Sequence, residues 1–185
     1  MKHTTSFSIV ALLTFAVTAT GCSASEPEPI SEWKVRPSTG LAIPRAAHTA
    51  TAISPNQVLV TGGCSGEGCA PVERSAELFD VNTGRSEATQ PMIEARVAHS
   101  AALLTDGRVL VTGGWTGGMA TASAEVFDQR RRSFSPAQPM ATARMDATAT
   151  PLINGNVLIT GGASDTNRPI ASAEIFDQIQ RRFVA

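Results

Sequence analysis

The hexapeptide VLVTGG at residues 58–63 decides the fold, because it returns as VLVTGG at 109–114 and as VLITGG at 157–162. An apolar, β-branched run of this length that ends in glycine is typical of a buried strand. A second motif follows each copy, at 75–80 (SAELFD), 123–128 (SAEVFD) and 172–177 (SAEIFD). The chain is therefore built from repeated units.

Three arginines open the units. Arg45, Arg96 and Arg144 recur at intervals of 51 and 48 residues. A repeat of this size is usually one supersecondary block of a propeller or an array. We therefore divide the repeated part of the chain into units of about 45–95, 96–143 and 144–185.

Each unit predicts four short antiparallel strands. In the second unit, residues 97–104 and 109–112 form the first two, joined by a turn in which Asp106-Gly107 supplies a pair of positive φ angles. Asn154-Gly155 does the same in the third unit, whereas Pro55-Asn56 in the first unit requires another type of turn.

The fourth strand of each unit is predicted from an aromatic residue. Phe134 and Phe183 each stand six residues after the aspartate that ends the third strand, but the first unit has Ser86 there. The first unit should therefore have a thinner outer edge.

These features resemble the Kelch repeats of bacterial secreted proteins: a Gly-Gly doublet after an apolar strand, an acidic-aromatic strand, a later aromatic residue and a Pro-Met before the arginine. The resemblance covers residues 33–185 and implies an all-β fold of four-stranded antiparallel β-propeller blades. Trp33, within SEWKV at 31–35, resembles the fourth strand of a preceding blade.

Three blades and one strand predict a partial or open propeller, because propellers usually close with four to eight blades. Three explanations remain: a truncated product of a longer gene, a homodimer that closes a ring of six blades, or completion by another chain.

A positive and a negative side chain recur in every unit. We interpret them as structural ion pairs, since a buried charge in a small, apolar blade needs a partner. The alternative is a ring of catalytic acids and bases, but a catalytic site is usually asymmetric. The residues are Arg45, Arg96 and Arg144 with Glu77, Glu125 and Glu174.

Cysteine and histidine predict no metal site and no cofactor. Cys64 and Cys69 bracket four loop residues, for which a disulfide is the simplest interpretation in an exported chain; a metal site or a free redox pair are the alternatives. His48 and His99 each stand three residues after their arginine, and we interpret them as packed strand residues.

The second-turn loops, at 64–74, 115–122 and 163–171, are the longest and most varied, and variable loops on a regular scaffold often bind partners. Trp115 is the candidate anchor, although its ring could instead pack over its own blade. The predicted binding residues are Trp115, Thr116, Met119 and Arg168.

These patterns favour a binding or scaffolding module for a protein or glycan over an enzyme. The chain has no tyrosine, which excludes the tyrosine-dependent chemistry of galactose-oxidase-like and sialidase-like propellers. The alternative is a fragment of a larger Kelch-propeller enzyme whose site is missing here or needs assembly. A formal net charge of -1 disfavours nucleic-acid binding.

The N-terminus predicts export. Residues 1–21 resemble a signal peptide, and ATGC at 19–22 resembles the lipoprotein box in which Cys22 is acylated. Residues 22–32, rich in Ser, Glu and Pro, would then tether the domain to a membrane. Ser23 resembles the sorting pattern of outer-membrane lipoproteins; the alternative is an ordinary secretory signal and a secreted or periplasmic protein.

Overall fold

The computed structural model describes residues 40–184. By its contacts the chain divides into two units, Met1–Val35 and Arg36–Ala185, and the described residues all lie in the second. The predictions for the signal peptide, Cys22, the tether and Trp33 lie outside the described residues. Within residues 40–184, no helix has the length and apolarity that a membrane span requires.

The described chain is all-β and consists of three four-stranded antiparallel sheets, so the fold is a partial propeller of three blades. Within each blade the strands lie in sequence order. The first blade holds β1 (Thr49–Ser54), β2 (Gln57–Thr61), β3 (Ala76–Asp80) and β4 (Arg85–Ala88). The second holds β5 (Ser100–Leu103), β6 (Val109–Thr112), β7 (Ala124–Asp128) and β8 (Ser133–Ala137). The third holds β9 (Thr148–Pro151), β10 (Val157–Thr160), β11 (Ala173–Asp177) and β12 (Arg182–Val184).

The first strand of each blade is the innermost, because β1 lies beside β5, and β5 beside β9. The first and third turns of a blade emerge on one side of the array. The second-turn loop and the link to the next blade emerge on the other side, which we call the loop side. A regular inner scaffold therefore presents irregular segments on the loop side.

The core lies between blades. We call the face of a blade that meets the next blade its trailing face, and the opposite one its leading face. Alternate residues of a strand point to opposite faces, so β6 packs Leu110 toward the third blade and Val109 and Val111 toward the first. All three are fully buried, which explains why this strand is continuously apolar.

The predicted first strand of the second unit begins later than expected. Residues 97–104 were expected to form it, but β5 covers only Ser100–Leu103. Ala98 adopts a left-handed conformation with φ of 53°, and Val97 forms an isolated bridge with Trp115. A residue with positive φ interrupts an extended strand, and nothing in an alanine signals it.

The prediction of two positive φ angles in the first turn was also wrong. In the second blade only Gly107 is left-handed, and in the third only Gly155. Leu104 bonds Arg108 across the turn, and Gly107 N–H donates to Leu104 O at 3.0 Å. This is the longer hairpin loop in which a glycine follows a type I turn, so Asp106 needs no positive φ.

The fourth strands show the effect of the missing aromatic residue. Phe134 and Phe183 contact Phe127 and Phe176, the penultimate residues of the third strands, with ring centroids 4.9 and 5.0 Å apart. Ser86 pairs with Phe79 in the first blade and supplies no ring there. Phe79 is half-buried, and it also lies on the leading face of the first blade, which no described blade covers.

One ion pair holds each blade to the link that precedes it. In the second blade, Arg96 Nη2 lies 2.8 Å from Glu125 Oε1, and both side chains are buried. Arg96 Nη1 also donates to Gly113 O at 2.8 Å, where the second-turn loop begins. The Glu125 carboxylate accepts the N–H groups of Ile93 (2.7 Å) and Glu94 (3.1 Å) in the link. We call this arrangement the clamp.

The clamp occurs in every described blade. In the third, Arg144 bonds Glu174 at 3.0 Å and Gly161 O at 2.8 Å. In the first, Arg45 bonds Glu77 and donates to Gly62 O at 2.7 Å. The arginines lie in the links, before the first strands, and the glutamates lie in the third strands.

The clamp replaces much of the hydration that the two charges lose, although Arg45 Nε and Arg96 Nε have no hydrogen-bond partner among residues 40–184. Burial alone would raise the pKa of Glu77, but hydrogen bonds from Ser86 Oγ and the Ala42 N–H, together with Arg45, lower the pKa below its usual value. Because removing one partner of a buried pair leaves the other charge uncompensated, breaking such a pair typically costs about 3–5 kcal/mol.

Candidate functional site

The second-turn loops are fastened at their bases. In each blade, the residue after the Gly-Gly doublet bridges both the link and the returning end of the loop. In the second blade this residue is Trp115, which bridges Val97 and Ala120. The equivalent residues are Cys64 in the first blade and Ala163 in the third. The loop tips can therefore differ between blades while their bases stay the same.

Trp115 combines a fixed backbone with a partly buried side chain. Its N–H donates to Val97 O at 2.8 Å, and its carbonyl accepts the Val97 N–H at 2.9 Å. Its side chain is neither buried nor fully exposed. A large ring on a fixed backbone loses little conformational freedom when it binds a partner, which is a property of interface anchors.

Thr116 and Met119 form a tight turn beside Trp115. The N–H and Oγ1 of Thr116 both donate to Met119 O, at 3.0 and 3.1 Å. The turn leaves the Met119 side chain 61% exposed. Methionine is flexible and polarizable, so it adapts to varied apolar surfaces.

Arg168 is exposed in the corresponding loop of the third blade. Its carbonyl accepts the Ser164 N–H at 3.0 Å, and its own N–H donates to Ser164 Oγ at 3.3 Å. The structure thus places Arg168 on the loop side with Trp115, Thr116 and Met119, but in a different blade.

A disulfide joins Cys64 and Cys69, whose Cα atoms are 4.9 Å apart. It encloses a short 3₁₀ helix, Glu67–Cys69, and a cis peptide bond joins Ala70 to Pro71 just beyond it. The returning end of this loop reaches the next one, since a Cβ added to Gly117 would lie 3.5 Å from Val72 Cγ2. The loops of the first two blades therefore adjoin each other.

Two residues of the link on the loop side escaped the sequence analysis. Ile93 is 53% exposed. Glu94 is partly exposed, and its carboxylate accepts hydrogen bonds from Ser123 Oγ (2.6 Å) and Thr121 Oγ1 (3.3 Å) at the base of the second-blade loop. The available signal was a departure from the repeat, since Ala42 and Ala141 hold the position of Ile93 in the other clamps.

His48 and His99 were interpreted as strand residues, but each lies one residue before the first strand of its blade; His99 packs between the first two blades. His99 is 6% exposed, and its Nε2 lies 2.9 Å from Thr49 Oγ1 and 3.1 Å from Thr61 Oγ1 of the first blade. Burial lowers the pKa of His99 to about 3, and the charge of Arg96 acts in the same direction. Residues 40–184 hold no group of three or more His, Cys, Asp or Glu placed to bind a metal ion.

The basic turns on the opposite side have neighbouring partners. Arg132 Nη2 lies 2.9 Å from Glu87 Oε2 of the first blade, and Arg181 donates to Ser135 Oγ of the second at 3.2 Å. These contacts bridge the outer edges of adjacent blades, so part of the positive charge serves the array itself.

A model of the Kelch motif matches residues 96–141, which cover the second blade. This match is consistent with a Kelch-repeat protein and agrees with the all-β architecture of four-stranded blades. A comparison with curated proteins found no match.

The buried His99 predicts a pH dependence of stability. Its pKa is lower in the folded chain than in the unfolded chain, so between about pH 6.5 and pH 3 the unfolded state binds the additional proton. The free energy of unfolding should therefore fall as the pH falls, by up to about 1.4 kcal/mol per pH unit from this group. Urea unfolding at several pH values should show a shallower dependence for His99→Gln than for the parent.

His48→Gln is the matched control, because the pKa of His48 is also lowered, by burial and by Arg45, but its side chain is less buried. His48→Gln should change the pH dependence of the free energy of unfolding less than His99→Gln does. An unchanged slope in His99→Gln would contradict the assignment of a neutral, buried imidazole.

Proposed function

We propose that this chain is a non-enzymatic binding or scaffolding module that recognises a protein or a glycan through the loop side of its blades. Kelch repeats generally mediate protein binding or scaffolding. The observation that carries the proposal is the exposure of Met119 on a turn that follows the partly buried Trp115, whose backbone bridges fix the base of the loop.

The chemistry of this surface suits a partner with apolar and polar groups close together. Trp115, Met119 and Ile93 supply apolar area at the second blade. Glu94 and Glu73 add carboxylates at the loop bases of the first two blades, where each accepts a hydrogen bond from a serine of its own blade. An apolar centre with a polar rim is the usual anatomy of a recognition surface. Arg168 would extend the surface onto the third blade.

We propose no catalytic role for the repeated polar residues. The arginines and glutamates that recur in every unit bond each other, the backbone of the links and the loop bases. Groups held in this way support the scaffold, and a hydrolase would need an acid, a base and a nucleophile that converge on one point. The proposed module therefore acts by binding, with no cofactor, and nucleic acid is not the proposed partner.

We further propose that the module works at the bacterial cell envelope. In this proposal, residues 1–21 direct export, Cys22 carries a lipid, and residues 22–32 hold the blades away from the outer membrane. The support is the sequence alone: an apolar stretch from Phe7 to Thr18 and the ATGC box. A semi-rigid spacer would keep the loop side accessible to a partner.

Recognition is tested with a photo-reactive benzophenone residue placed at Met119 in cells of the source organism. We expect a discrete adduct, and we expect Trp115→Ala to reduce it about tenfold, as the loss of an interface anchor would. Sensitivity of the adduct to protease or to glycosidase identifies the class of partner. The thermal unfolding midpoint of Trp115→Ala should stay close to that of the parent.

Ile179 provides the control position, because it is 88% exposed and lies in the third turn, on the opposite side. The same photo-reactive residue there should give no such adduct. Equal adducts from both positions, or a Trp115→Ala chain that unfolds at a markedly lower temperature, would contradict the proposed site.

The anchor is tested with Cys22→Ser and metabolic labelling by an alkyne fatty acid. The parent should carry the label and sediment with membranes, whereas the variant should lose both properties. Ser25→Ala, three residues away, should behave as the parent does. A parent without label, or a Cys22→Ser chain that still fractionates with membranes, would refute acylation of this cysteine.

A further inference from the structure

Each contact between blades repeats the same two backbone hydrogen bonds near the inner strands. The second glycine of the doublet donates its N–H to the carbonyl of the next blade's arginine. The left-handed residue of the next link donates its N–H to the carbonyl of its counterpart in the preceding blade. The bonds are Gly63 to Arg96 (2.9 Å) and Ala98 to Ala47 (3.0 Å), then Gly114 to Arg144 and Asp146 to Ala98 (both 2.8 Å).

The two outer faces of the array carry the unused halves of this pattern. On the trailing face of the third blade, the Gly162 N–H and the Asp146 carbonyl have no such partner among residues 40–184. On the leading face of the first blade, the Arg45 carbonyl receives no glycine N–H and the Ala47 N–H donates to no counterpart within the same residues. One face therefore offers a donor where the other offers an acceptor.

The first glycine of the doublet shows where a following blade would sit. A Cβ added to Gly62 would collide with Arg96 O, and one added to Gly113 would lie 2.5 Å from Arg144 O. Gly161 has nearly the same φ, +65°, but its Cβ would meet only Ile170 O, at 3.7 Å. The third blade thus leaves open the space that the next blade's arginine carbonyl fills elsewhere.

The apolar side chains of the trailing faces show the same contrast. Leu59 and Leu110, on the trailing faces of the first two blades, are 1% and 0% exposed. Their counterpart Leu158 in the third blade is only half-buried, and Val184 at its outer edge is 41% exposed. An apolar face that is left partly exposed in this way favours the packing of another sheet on it.

The turns at the rims of the two outer faces are complementary as well. Inside the array, neighbouring turns meet through polar contacts, Gln129 to Gln57 at 3.0 Å and Gln178 to Thr105 at 2.6 Å. At the outer faces, the corresponding positions hold Val81, 51% exposed, and Ile153, fully exposed. Where the inner turns pair two polar side chains, the two outer faces carry one apolar side chain each, and these could pack on each other.

We propose that a second copy of this chain docks its first blade on the third blade described here, and that the reciprocal contact closes a ring of six blades. In each contact the Gly162 N–H donates to Arg45 O of the other copy, and its Ala47 N–H donates to Asp146 O. Ile153 packs on Val81. Six blades lie within the usual range of four to eight for a closed propeller.

A second copy fits better than an unrelated partner, because both halves of every contact are present on the same chain. The docking continues the contact geometry that already joins the three blades. This docking uses the blade faces and leaves the loop side free, so it is separate from the recognition proposed above. It does not depend on the identity of the ligand.

Cysteine crosslinking of the full-length chain tests the arrangement. Val81→Cys and Ile153→Cys, made separately and carried on chains with different tags, should form a mixed disulfide dimer when the two are combined and oxidised. Neither variant alone should exceed the background of the parent, because the proposed contact brings unlike faces together. Absence of the mixed dimer, or equal crosslinking of Val81→Cys with itself, would overturn the proposal.

A glycine substitution provides the second test, read by the mass of the parent and variant chains in analytical ultracentrifugation. The parent should sediment as a dimer, and Gly161→Ala should shift it to the monomer, because the new methyl group occupies the space of the incoming Arg45 carbonyl. Gly107→Ala is the matched control: its φ is also positive, +83°, and its Cβ would meet nothing within 4 Å. It should remain dimeric.

A parent that is monomeric would overturn the proposal. A Gly161→Ala chain that is folded and still dimeric would overturn it too.

Discussion

The buried arginine–glutamate clamp is the constraint on which the rest of this structure depends. Each guanidinium reaches the start and the end of a second-turn loop, while each carboxylate holds two N–H groups of a link that otherwise has few regular hydrogen bonds. Two buried charges are unfavourable unless they are paired and hydrogen-bonded. Because the carboxylate accepts hydrogen bonds from both the guanidinium and the link, the clamp fixes the link, the loop base and the third strand in one arrangement.

The clamp separates the part of the blade that must stay constant from the part that can vary. The glycine doublet allows the backbone of the next blade to approach, and the arginine carbonyl that approaches belongs to the same residue whose side chain forms the next clamp. Successive clamps are therefore connected through the backbone. Beyond the loop base no such requirement holds, so a disulfide loop, a tryptophan turn and a polar turn occupy equivalent places in the three blades. This division explains why the candidate site lies on loops.

Most of the fold could be predicted from the sequence because the units repeat. Three copies of one pattern show which residues are structural, and they predict the order of strands and the partners of Arg96 and Glu125. The repeats are a poorer guide to the backbone conformation of single residues. Asp106 and Ala98 were misjudged because the length of a hairpin loop and a single left-handed residue depend on hydrogen bonds that no apolar pattern records.

The candidate site was predicted only in part, for a related reason. Trp115 and Met119 stand out as large residues in a variable loop, but Ile93 and Glu94 lie in a link, and they join the same surface only because the blade folds them onto it. Contacts between blades, such as that of His99 with Thr49, join residues 50 positions apart, and no local pattern in the sequence predicts them.

Amide hydrogen exchange at the two link segments held by the clamps tests this account most directly. The N–H groups of Ile93, Glu94, Ala141 and Thr142 donate to buried carboxylates, and we expect them to exchange as slowly as the strand amides of β6. Exchange as fast as that of Gly117 and Gly118, at the exposed tip of the second-blade loop, would contradict the claim that the clamps order the array.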